Sequence, residues 1–457
     1  MFLSEREIEI KINPDKILTS DNTGRNLIHG LSESVKKFLQ AGEVPIRFIV
    51  SSSDRFRYRC EIGLMVDQDQ HNVESIFKFV PRRLEVPDKF TTVLIVPTGV
   101  GAEIGGHAGD ATPVASLLAS VSDSLITHPN VVNASDIIDL PQNALYVEGS
   151  VLTRLLMGTV GLLPVRRNRI LVVLDSHEDQ VFMNAAINAV NAARVSYGLS
   201  GVDILEIDPC FIMDSSFTSS GRATGRVHNL DLLTNELKKR VSYYDAVALS
   251  SRIIVPENYH TEYFELGGDM VNPWGGVEAL LTHAVSTVYN VPSAHSPMME
   301  TQDIANMDPG IVDPRMAAEA ISLTFLQCIL KGLKSSPRIL TDTSSITHRS
   351  ALTTEDISCV VIPDGCLGLP TLAALSQGIP VIAVRENKTL MSNDLGQLPW
   401  MPGQLNIVDS YLEAAGVIGA LKAGIDPMSV KRPIESVNVD KIVGELPETV
   451  IERMMPF

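Results

Sequence analysis

The chain has 457 residues, a formal net charge of −17 at pH 7 and 45% hydrophobic residues. This length is enough for two or three domains with buried cores. The acidic charge disfavours proteins that bind nucleic acid or anionic membranes, because both functions need a basic surface, although it leaves an anionic small-molecule substrate open.

Neither a membrane span nor a signal peptide is predicted. No apolar run approaches the roughly 18 residues of a membrane helix, and the N-terminal sequence MFLSEREIEI lacks a charged segment followed by an apolar one. The five cysteines are odd in number and scattered without CxxC spacing, which favours reduced thiols over a disulfide framework. We therefore expect a cytoplasmic protein with no membrane partner.

Residues 1–88 differ in pattern from the rest of the chain. Glu7–Ile12 alternates polar and apolar residues, and Pro45–Val66 is typical of two strands joined by the turn SSSDR. Gly24–Leu39, between them, has helical spacing. We predict a small N-terminal α+β domain over residues 1–88.

From Thr91 onward, short apolar runs alternate with amphipathic segments. Strands that are apolar throughout are typical of parallel sheets covered on both faces, so the predicted fold class is α/β, Rossmann-like, with mostly parallel sheets and helices on both faces. Residues 89–335 are predicted to form the main α/β domain, and residues 336–457 a second α/β unit with a helical C-terminal tail. The predicted strands are Val93–Val96, Ser124–Ile126, Ile170–Leu174, Val202–Ile207, Ala246–Leu249, Ile357–Ile362 and Pro380–Val384, and the predicted helices include Glu178–Tyr197, Leu230–Val241, Gly275–Tyr289, Pro314–Gly332 and Gly368–Gln377.

The loop Pro97–Asp110 follows the first of these strands and contains Gly99, Gly101, Gly105 and Gly106. Dense glycines at a strand-to-helix turn let backbone N–H groups approach a ligand, and the N-terminus of the next helix favours negative charge. The GxGxxxG spacing departs from the dinucleotide fingerprint and no acidic residue closes the next strand, so NAD is disfavoured. We interpret the loop as a site for a carboxylate or another anion; the alternative is a turn that only lets a helix pack closely.

Five polar residues are the candidate catalytic groups: His107, Asp110, His128, Glu148 and His295. They lie in or near the loops that follow the predicted strands, which is where ligands bind in open α/β sheets. Histidines can act as general acid and base near neutral pH, and a carboxylate such as Asp110 or Glu148 can orient an imidazole. Each also has a structural interpretation, as a turn or core residue.

A second glycine turn lies within Pro363–Asn387, where Gly365 and Gly368 place backbone amides at the start of a predicted helix. This segment weakly resembles the sugar-nucleotide loop of two-domain glycosyltransferases and sugar-nucleotide epimerases. Cys366 lies at the helix start, where the helix dipole would lower the pKa of its thiol. A neutral structural cysteine is the default interpretation.

A bound divalent metal is left open. Suitable ligand types are present at His107, His128, Glu148, His283 and His295. No pair of them has the compact spacing of HExxH or of a cysteine knuckle, so three ligands would have to assemble through the fold.

Five stretches of the chain share one resemblance. They are VPTGVGAEIGGHAGDATPVA, ITHPNVVNAS, NALYVEGSVLTR, GGVEALLTHAVSTVYNVPSAHSP and AAEAISLTFLQCILKGL. Together they resemble the domain-of-unknown-function 3326 family of cyanobacteria and other bacteria. The resemblance implies that residues of about 91–340 form one module, and it carries over no activity. Residues 1–88 lie outside it and are interpreted as a dimerisation or lid element.

These patterns favour an enzyme that acts on a small anionic metabolite by acid–base chemistry, of lyase, isomerase or hydrolase type. Its site would lie in loops at the carboxyl ends of strands, between the α/β units. One alternative is a nucleotide-dependent transferase or epimerase, in which the loops at Gly99 and Gly365 hold phosphates across a cleft. Another is a non-catalytic protein that binds a small ligand. We expect a homo-oligomer.

Overall fold

The computed structural model describes residues 1–12, 23–66, 73–134, 139–199, 201–256, 258–322, 324–342, 346, 350–434 and 436–444. Two parallel sheets, an antiparallel sheet and a short antiparallel pair organise these residues. The protein is therefore a mixed α/β structure. Among the residues that are described, no helix combines the length and the apolar character needed to cross a membrane.

The antiparallel sheet consists of six strands: β1 (Phe2–Lys11), β2 (Glu43–Ser53), β3 (Arg57–Val66), β10 (Ile212–Phe217), β11 (Ala223–His228) and β16 (Leu367–Gly368). Their order across the sheet is β10–β11–β1–β3–β2–β16. Helix α1 (Thr23–Lys36) shares a core with this sheet, and Leu27 and Leu31 are buried together with Phe48. The sheet was predicted only in part, since β10, β11 and β16 come from beyond residue 88.

The larger parallel sheet also has six strands, β4 (Thr91–Leu94), β5 (Ser124–Thr127), β6 (Ala144–Tyr146), β15 (Cys359–Pro363), β17 (Val381–Val384) and β18 (Leu405–Val408), in the order β18–β17–β15–β4–β5–β6. The strand order reverses between β4 and β15. Strands from both sides of residue 335, the predicted domain boundary, pair in this one sheet. β15 hydrogen-bonds to β4 on one edge and β17 on the other, because its buried apolar strand needs partners on both edges.

Helices cover both faces of this sheet. They are α2 (Thr112–Val121), α3 (Pro129–Val132), α4 (Gly149–Leu156), α12 (Leu369–Gln377) and α13 (Tyr411–Lys422). Alternate residues of the strands point to opposite faces. Leu94 and Val361 share a core with α2 and α13, whereas Val93 and Val360 share one with α4 and α12.

The smaller parallel sheet has four strands, β8 (Ile170–Asp175), β9 (Val202–Ile207), β12 (Ala246–Arg252) and β13 (Ser293–Met298), in the order β13–β12–β8–β9. Its helices are α5 (Gln180–Tyr197), α6 (Asp231–Arg240), α8 (Gly275–Tyr289) and α11 (Leu326–Lys334). The short pair joins β7 (Gly161–Leu163) to β14 (Arg338–Leu340), and short helices form at α7 (Tyr259–Glu265), α9 (Gln302–Ala305) and α10 (Ala317–Ala320). The bounds of β9 and α8 are those predicted from the sequence.

Side-chain caps explain where the structure departs from the predicted helix bounds. Helix α5 begins at Gln180 rather than Glu178, because the Asp179 carboxylate accepts the backbone N–H of Val181 at 2.9 Å. The predicted continuous helix Pro314–Gly332 is wrong. The Thr324 hydroxyl accepts the N–H of Leu326 at 3.1 Å and starts α11 separately, which leaves α10 as a short helix.

A helical tail was predicted at the C-terminal end of residues 336–457, and α13 is the last α-helix among the described residues. The chain continues beyond it. Its described residues contain a 3₁₀ turn at Pro427–Val430 and irregular structure in residues 436–444. Residues 445–457 of the predicted tail lie outside the described residues.

Candidate functional site

A cavity of about 330 Å³ lies where the loops after β4, β5 and β6 face β13, the chain that follows it, and the N-terminal half of α8. Among the residues described, no lysine or arginine lines it. Its wall instead combines imidazoles with carboxylates. The ionisable lining residues are His107, His128, His260, His283, His295, Glu148, Glu278, Glu300 and Glu319.

Glu148 and His283 form an ion pair in the wall of the cavity. Glu148 follows β6 and caps α4, where one carboxylate oxygen accepts the backbone N–H groups of Ser150 at 2.9 Å and Val151 at 3.3 Å. Its other oxygen lies 2.5 Å from Nδ1 of His283 on α8. Burial by itself raises the pKa of Glu148, but His283 and the Ser150 donors lower it below its ordinary value. Glu148 is thus an anion that orients the His283 ring.

Gly149 leaves the space that this ring occupies. A Cβ atom added at Gly149 would lie 3.1 Å from Cε1 of His283. This approach is closer than ordinary van der Waals contact between carbon atoms. A side chain at this position would therefore press on the imidazole that Glu148 orients.

Glu278, His295 and Ser251 form a chain of polar contacts. Oε1 of Glu278 lies 2.9 Å from Nδ1 of His295, and Nε2 of His295 lies 2.8 Å from the Ser251 hydroxyl. The order acid–imidazole–hydroxyl is that of serine hydrolases, but Ser251 is fully buried and does not line the cavity. The side chain of Glu278 is 23% exposed and that of His295 only 1%. Glu278 is therefore the member of this chain that is most accessible to a ligand.

Glu319, on α10, is a cavity carboxylate embedded in hydrogen-bond donors. Its Oε1 accepts the backbone N–H of Ala108 at 2.6 Å and the side-chain amide of Asn272 at 3.3 Å, and Tyr263 is a further partner. The Tyr263 hydroxyl also lies 2.7 Å from Nδ1 of His107. Burial raises the pKa of Glu319 to about 7 even though these donors oppose the rise. Glu319 can therefore hold or release a proton near neutral pH.

His107 and His128 are neutral imidazoles at pH 7, because burial lowers the pKa of each to about 4. Nε2 of His128 accepts the backbone N–H of Val96 at 3.1 Å, which leaves the ring proton on Nδ1. The backbone of His128 is extended, which is the conformation favoured before a proline such as Pro129. Both rings can therefore accept or donate hydrogen bonds without carrying a charge.

His260 and Glu300 also meet in the wall of this cavity. Nε2 of His260 lies 3.0 Å from Oε1 of Glu300, and the same oxygen accepts the backbone N–H of Val255 at 3.2 Å. The ring of His260 lies beside Trp274, with 5.5 Å between the ring centroids. The carboxylate and the indole together hold this imidazole in place.

Asp110 is the predicted catalytic residue that does not line the cavity. Its carboxylate accepts the backbone N–H of Gly105 at 2.8 Å, and burial raises its pKa to about 7. The N–H of Ile104, in the same loop, donates to the side chain of Asn387 at 2.9 Å. Two amides of the loop that was expected to hold an anion are thus bonded within the protein.

The four glycines of the loop divide into two pairs. Gly99 and Gly106 line the cavity, whereas Gly101 and Gly105 do not. Gly99 has a φ of +76°, and a Cβ atom there would lie 2.7 Å from the carbonyl oxygen of Ala223. This glycine is required by backbone conformation and close packing, whether or not a ligand binds beside it.

The second glycine turn lies away from this cavity. The N–H of Gly365 donates to its neighbour Asp364 at 2.9 Å, and Gly368 lines a smaller adjacent cavity together with Cys366. The expected lowering of the Cys366 pKa by the helix dipole is wrong, since burial raises it to about 12. The thiol is neutral at pH 7, in agreement with the structural interpretation.

The five residues considered as metal ligands all line the large cavity. Glu148 and His283 are in contact with each other, whereas the ring nitrogens of His107, His128 and His295 bond to Tyr263, Val96, Glu278 and Ser251. Across the described part of the chain, no three His, Cys, Asp or Glu side chains are grouped closely enough to hold a metal ion.

Sequence reasoning missed several members of this site. Glu319, Tyr263, His260 and Glu300 were not among the predicted residues, and His283 was considered only as a possible metal ligand. Their local sequences contain no motif, and their roles depend on partners in other elements. A signal existed only for Glu278, which lies in the first turn of a helix that follows a glycine-rich loop.

Comparison with known proteins identifies the family to which the chain is similar and a curated relative. A family described as a protein of unknown function, DUF3326, matches residues 91–431, which extends beyond the predicted module of residues 91–340 to include β15, β17 and β18. A protein of Synechococcus sp. named as an uncharacterized lipoprotein is 34% identical over 351 residues, which cover 74% of this chain and 93% of the relative. No solved structure matches the chain.

Proposed function

The chain belongs to the DUF3326 family of proteins of unknown function, and we propose that it is an enzyme that moves protons on a small metabolite bound in the 330 Å³ cavity. One observation carries the proposal: imidazoles from separate elements meet carboxylates at the wall of a single cavity of ligand size. Perturbed titratable groups clustered in a cleft are typical of catalytic sites. A lyase, isomerase or hydrolase reaction would use such groups.

Glu319 is the proposed general acid and base. A catalytic carboxyl works best when its pKa lies near the working pH, and burial raises the pKa of Glu319 to about 7. His283 is the proposed partner of Glu319 in the same cavity, because the ionised Glu148 orients its ring. His107 and His128 are both neutral at pH 7, so they would form hydrogen bonds with the substrate rather than neutralise its charge.

The strand order supports the position of this site. The large parallel sheet reverses its order between β4 and β15, as in doubly wound sheets, where ligands bind outside the carboxyl ends of the strands at the reversal. Thr98 and Gly99, which follow β4, line the cavity. On this basis we propose that the sheet is Rossmann-like and that the active site lies at its reversal point.

The experiment incubates the protein with an extract of small metabolites in water enriched in deuterium and oxygen-18. A lyase or isomerase inserts deuterium at carbon, and a hydrolase inserts oxygen-18, so mass spectrometry detects either reaction without knowing the substrate. Labelling should fall at least about 100-fold in Glu319→Gln and His283→Gln, the lower end of the usual contribution of acid–base groups. His228→Gln is the matched control, because His228 lies on β11 outside the cavity and its side chain is 41% exposed.

Two outcomes would favour the alternative functions. Equal labelling by the wild-type protein and both cavity variants would place the chemistry elsewhere, and no labelling by any of them would favour a non-catalytic binding protein. Labelling that requires added nucleotide would favour a nucleotide-dependent transferase or epimerase. A divalent metal also remains a proposal, and elemental analysis of the purified protein tests it.

We also propose a cytoplasmic location and self-association. All five cysteines have free thiols, as reduced cytoplasmic proteins do, although the Synechococcus relative is named as a lipoprotein. Near the C-terminal end, Val437, Val439 and Ile442 are each more than 80% exposed, which supports burial against a second copy. Cell fractionation tests the location, and light scattering of the full chain tests the oligomeric state.

A further inference from the structure

A second cavity of about 130 Å³ adjoins the first. The two share the lining residues Thr98, His128, Gly149, Ala279 and His283, so these residues form the wall between them. Apart from this wall, much of the second cavity is lined by aliphatic and aromatic side chains, including Ile46, Phe48, Ile76, Ile95, Ile362 and Leu367.

A buried guanidinium group, that of Arg47 on β2, also lines this cavity. Arg47 is 8% exposed, and it donates to the carbonyl oxygens of Thr98 at 3.0 Å and Gly276 at 3.5 Å. No described carboxylate lies within ion-pair distance of it. Burial lowers its pKa to about 10, so the group remains a cation at neutral pH.

The carboxylates that attract Arg47 are each in contact with another partner. Glu5 and Glu61 attract Arg47 from a distance, but both are in contact with the fully buried Arg222. Glu148 also attracts it from a distance and is in contact with His283. Arg47 therefore has carbonyl dipoles rather than an anion as its direct partners. Burying a cation without a direct anionic partner costs free energy, and an anion bound beside the cation would offset that cost.

A second arginine of the same kind is Arg154 on α4. It is 9% exposed, and it donates to the side-chain oxygen of Asn290 at 2.6 Å and to the carbonyl oxygen of Ser286 at 3.4 Å. Among the residues described, it too has no carboxylate at ion-pair distance. Two buried cations thus line a cavity that otherwise contains mainly apolar groups.

The start of helix α12 completes the cavity. Gly368 is the N-cap and has no side chain to accept the first backbone N–H groups, and Gly368, Leu369 and Thr371 all line the cavity. The N-terminus of a helix favours an anion. The cavity is therefore electropositive at several points, whereas the larger cavity has no lysine or arginine in its described lining.

We propose that the second cavity is an anion subsite that binds the carboxylate of the substrate through Arg47, with a short hydrocarbon chain against the apolar wall. The carboxylate is favoured over a phosphate because the apolar lining would leave the additional phosphate oxygens without donors. The carboxylate would bind behind His128 and His283, and the reacting part of the substrate would extend past them into the larger cavity. The identity of this substrate class rests on the proposed function, but binding of the anion does not.

The test measures binding of hexanoate to the full chain by isothermal titration calorimetry. Hexanoate should bind, whereas hexan-1-ol, which has the same chain without the charge, and inorganic phosphate should bind at least about tenfold more weakly, a difference of about 1.4 kcal/mol. Arg47→Met should weaken hexanoate binding by a similar factor, and Arg47→Lys should lose less because it keeps the charge. Arg169→Met is the matched control, since Arg169 is 55% exposed and pairs with Asp245 outside the cavity.

The proposal fails if the wild-type protein does not bind hexanoate, if hexan-1-ol binds equally well, or if phosphate binds more tightly than hexanoate. If Arg47→Met does not fold, a crystal of the wild-type protein soaked with 6-bromohexanoate provides the test, with bromine marking the bound molecule: a carboxylate that does not contact Arg47 contradicts the proposal. Hexanoate binding without isotope labelling would retain the anion subsite and reject the catalytic proposal. Isotope labelling without hexanoate binding would retain the catalytic proposal and reject the anion subsite.

Discussion

The Glu319→Gln variant should gain stability relative to the wild-type protein as the pH rises from about 4.5 to 8. Burial raises the pKa of Glu319 from 4.5 to about 7. Between these pH values the folded protein binds a proton that the unfolded chain has released, so the free energy of unfolding of the wild type falls as the pH rises through 7. Glutamine does not titrate, and the variant avoids this loss.

The size of the effect follows from the pKa difference. A change from 4.5 to about 7 corresponds to about 3 kcal/mol, at 1.36 kcal/mol for each pKa unit. For cooperative unfolding of all 457 residues, an unfolding entropy of about 2.1 cal/mol/K per residue converts this free energy into about 3 °C in Tm. Differential scanning calorimetry of both proteins from pH 4.5 to 8 measures the difference directly.

The variant Glu43→Gln provides a control of opposite sign. A hydrogen bond from Arg6 holds the pKa of Glu43 below its ordinary value, so the stability it contributes is present above pH 4.5 and is lost on acidification. The penalty of Glu43→Gln should therefore shrink as the pH falls. A Tm difference between Glu319→Gln and the wild type that stays constant with pH, or that shifts in favour of the wild type as the pH rises, would refute the assignment of a raised pKa to Glu319.

Two further predictions concern other buried groups. Iodoacetamide at pH 8 should label the partly exposed Cys210 before Cys366, because burial raises the pKa of the Cys366 thiol to about 12. Peptide mass spectrometry measures the labelling rates, with the urea-unfolded chain as reference. Equal rates for the two cysteines in the native protein would contradict this prediction. Arg222→Met should cost about 3–5 kcal/mol, or about 3–5 °C in Tm, because it leaves Glu5 and Glu61 buried without their cation. Calorimetry should show partial recovery when both glutamates are also changed to glutamine, and no recovery would indicate that lost packing dominates.

The neighbourhood of the cavity could be predicted from one topological rule. His128 and Glu148 follow parallel strands, and His107 lies in the loop after β4, so the rule that ligands bind at the carboxyl ends of strands placed these residues together. They do line one cavity, and His295 joins them from the other parallel sheet. Asp110 does not, because its carboxylate serves the Gly105 amide within the loop.

The chemistry of the glycine loop was harder to predict. Dense glycines indicate close approach of the backbone, but the pattern does not distinguish a ligand from a neighbouring strand. In the structure Gly99 approaches the carbonyl group of Ala223 on β11. The positive group suited to an anion is instead Arg47, which lies on a strand and belongs to no sequence motif.

Interactions between residues close in sequence determined several helices and strands. Strand β9 and helix α8 follow from hydrophobic periodicity, and the start of α5 follows from the cap at Asp179, because these effects act over a few consecutive residues. Pairing across the fold follows from sheet order and helix packing, which no local pattern encodes. Strand β15 lies beside β4, and Glu148 contacts His283, although in each case the two partners are distant in sequence. These partners come together only when the apolar faces of whole sheets and helices are buried against each other.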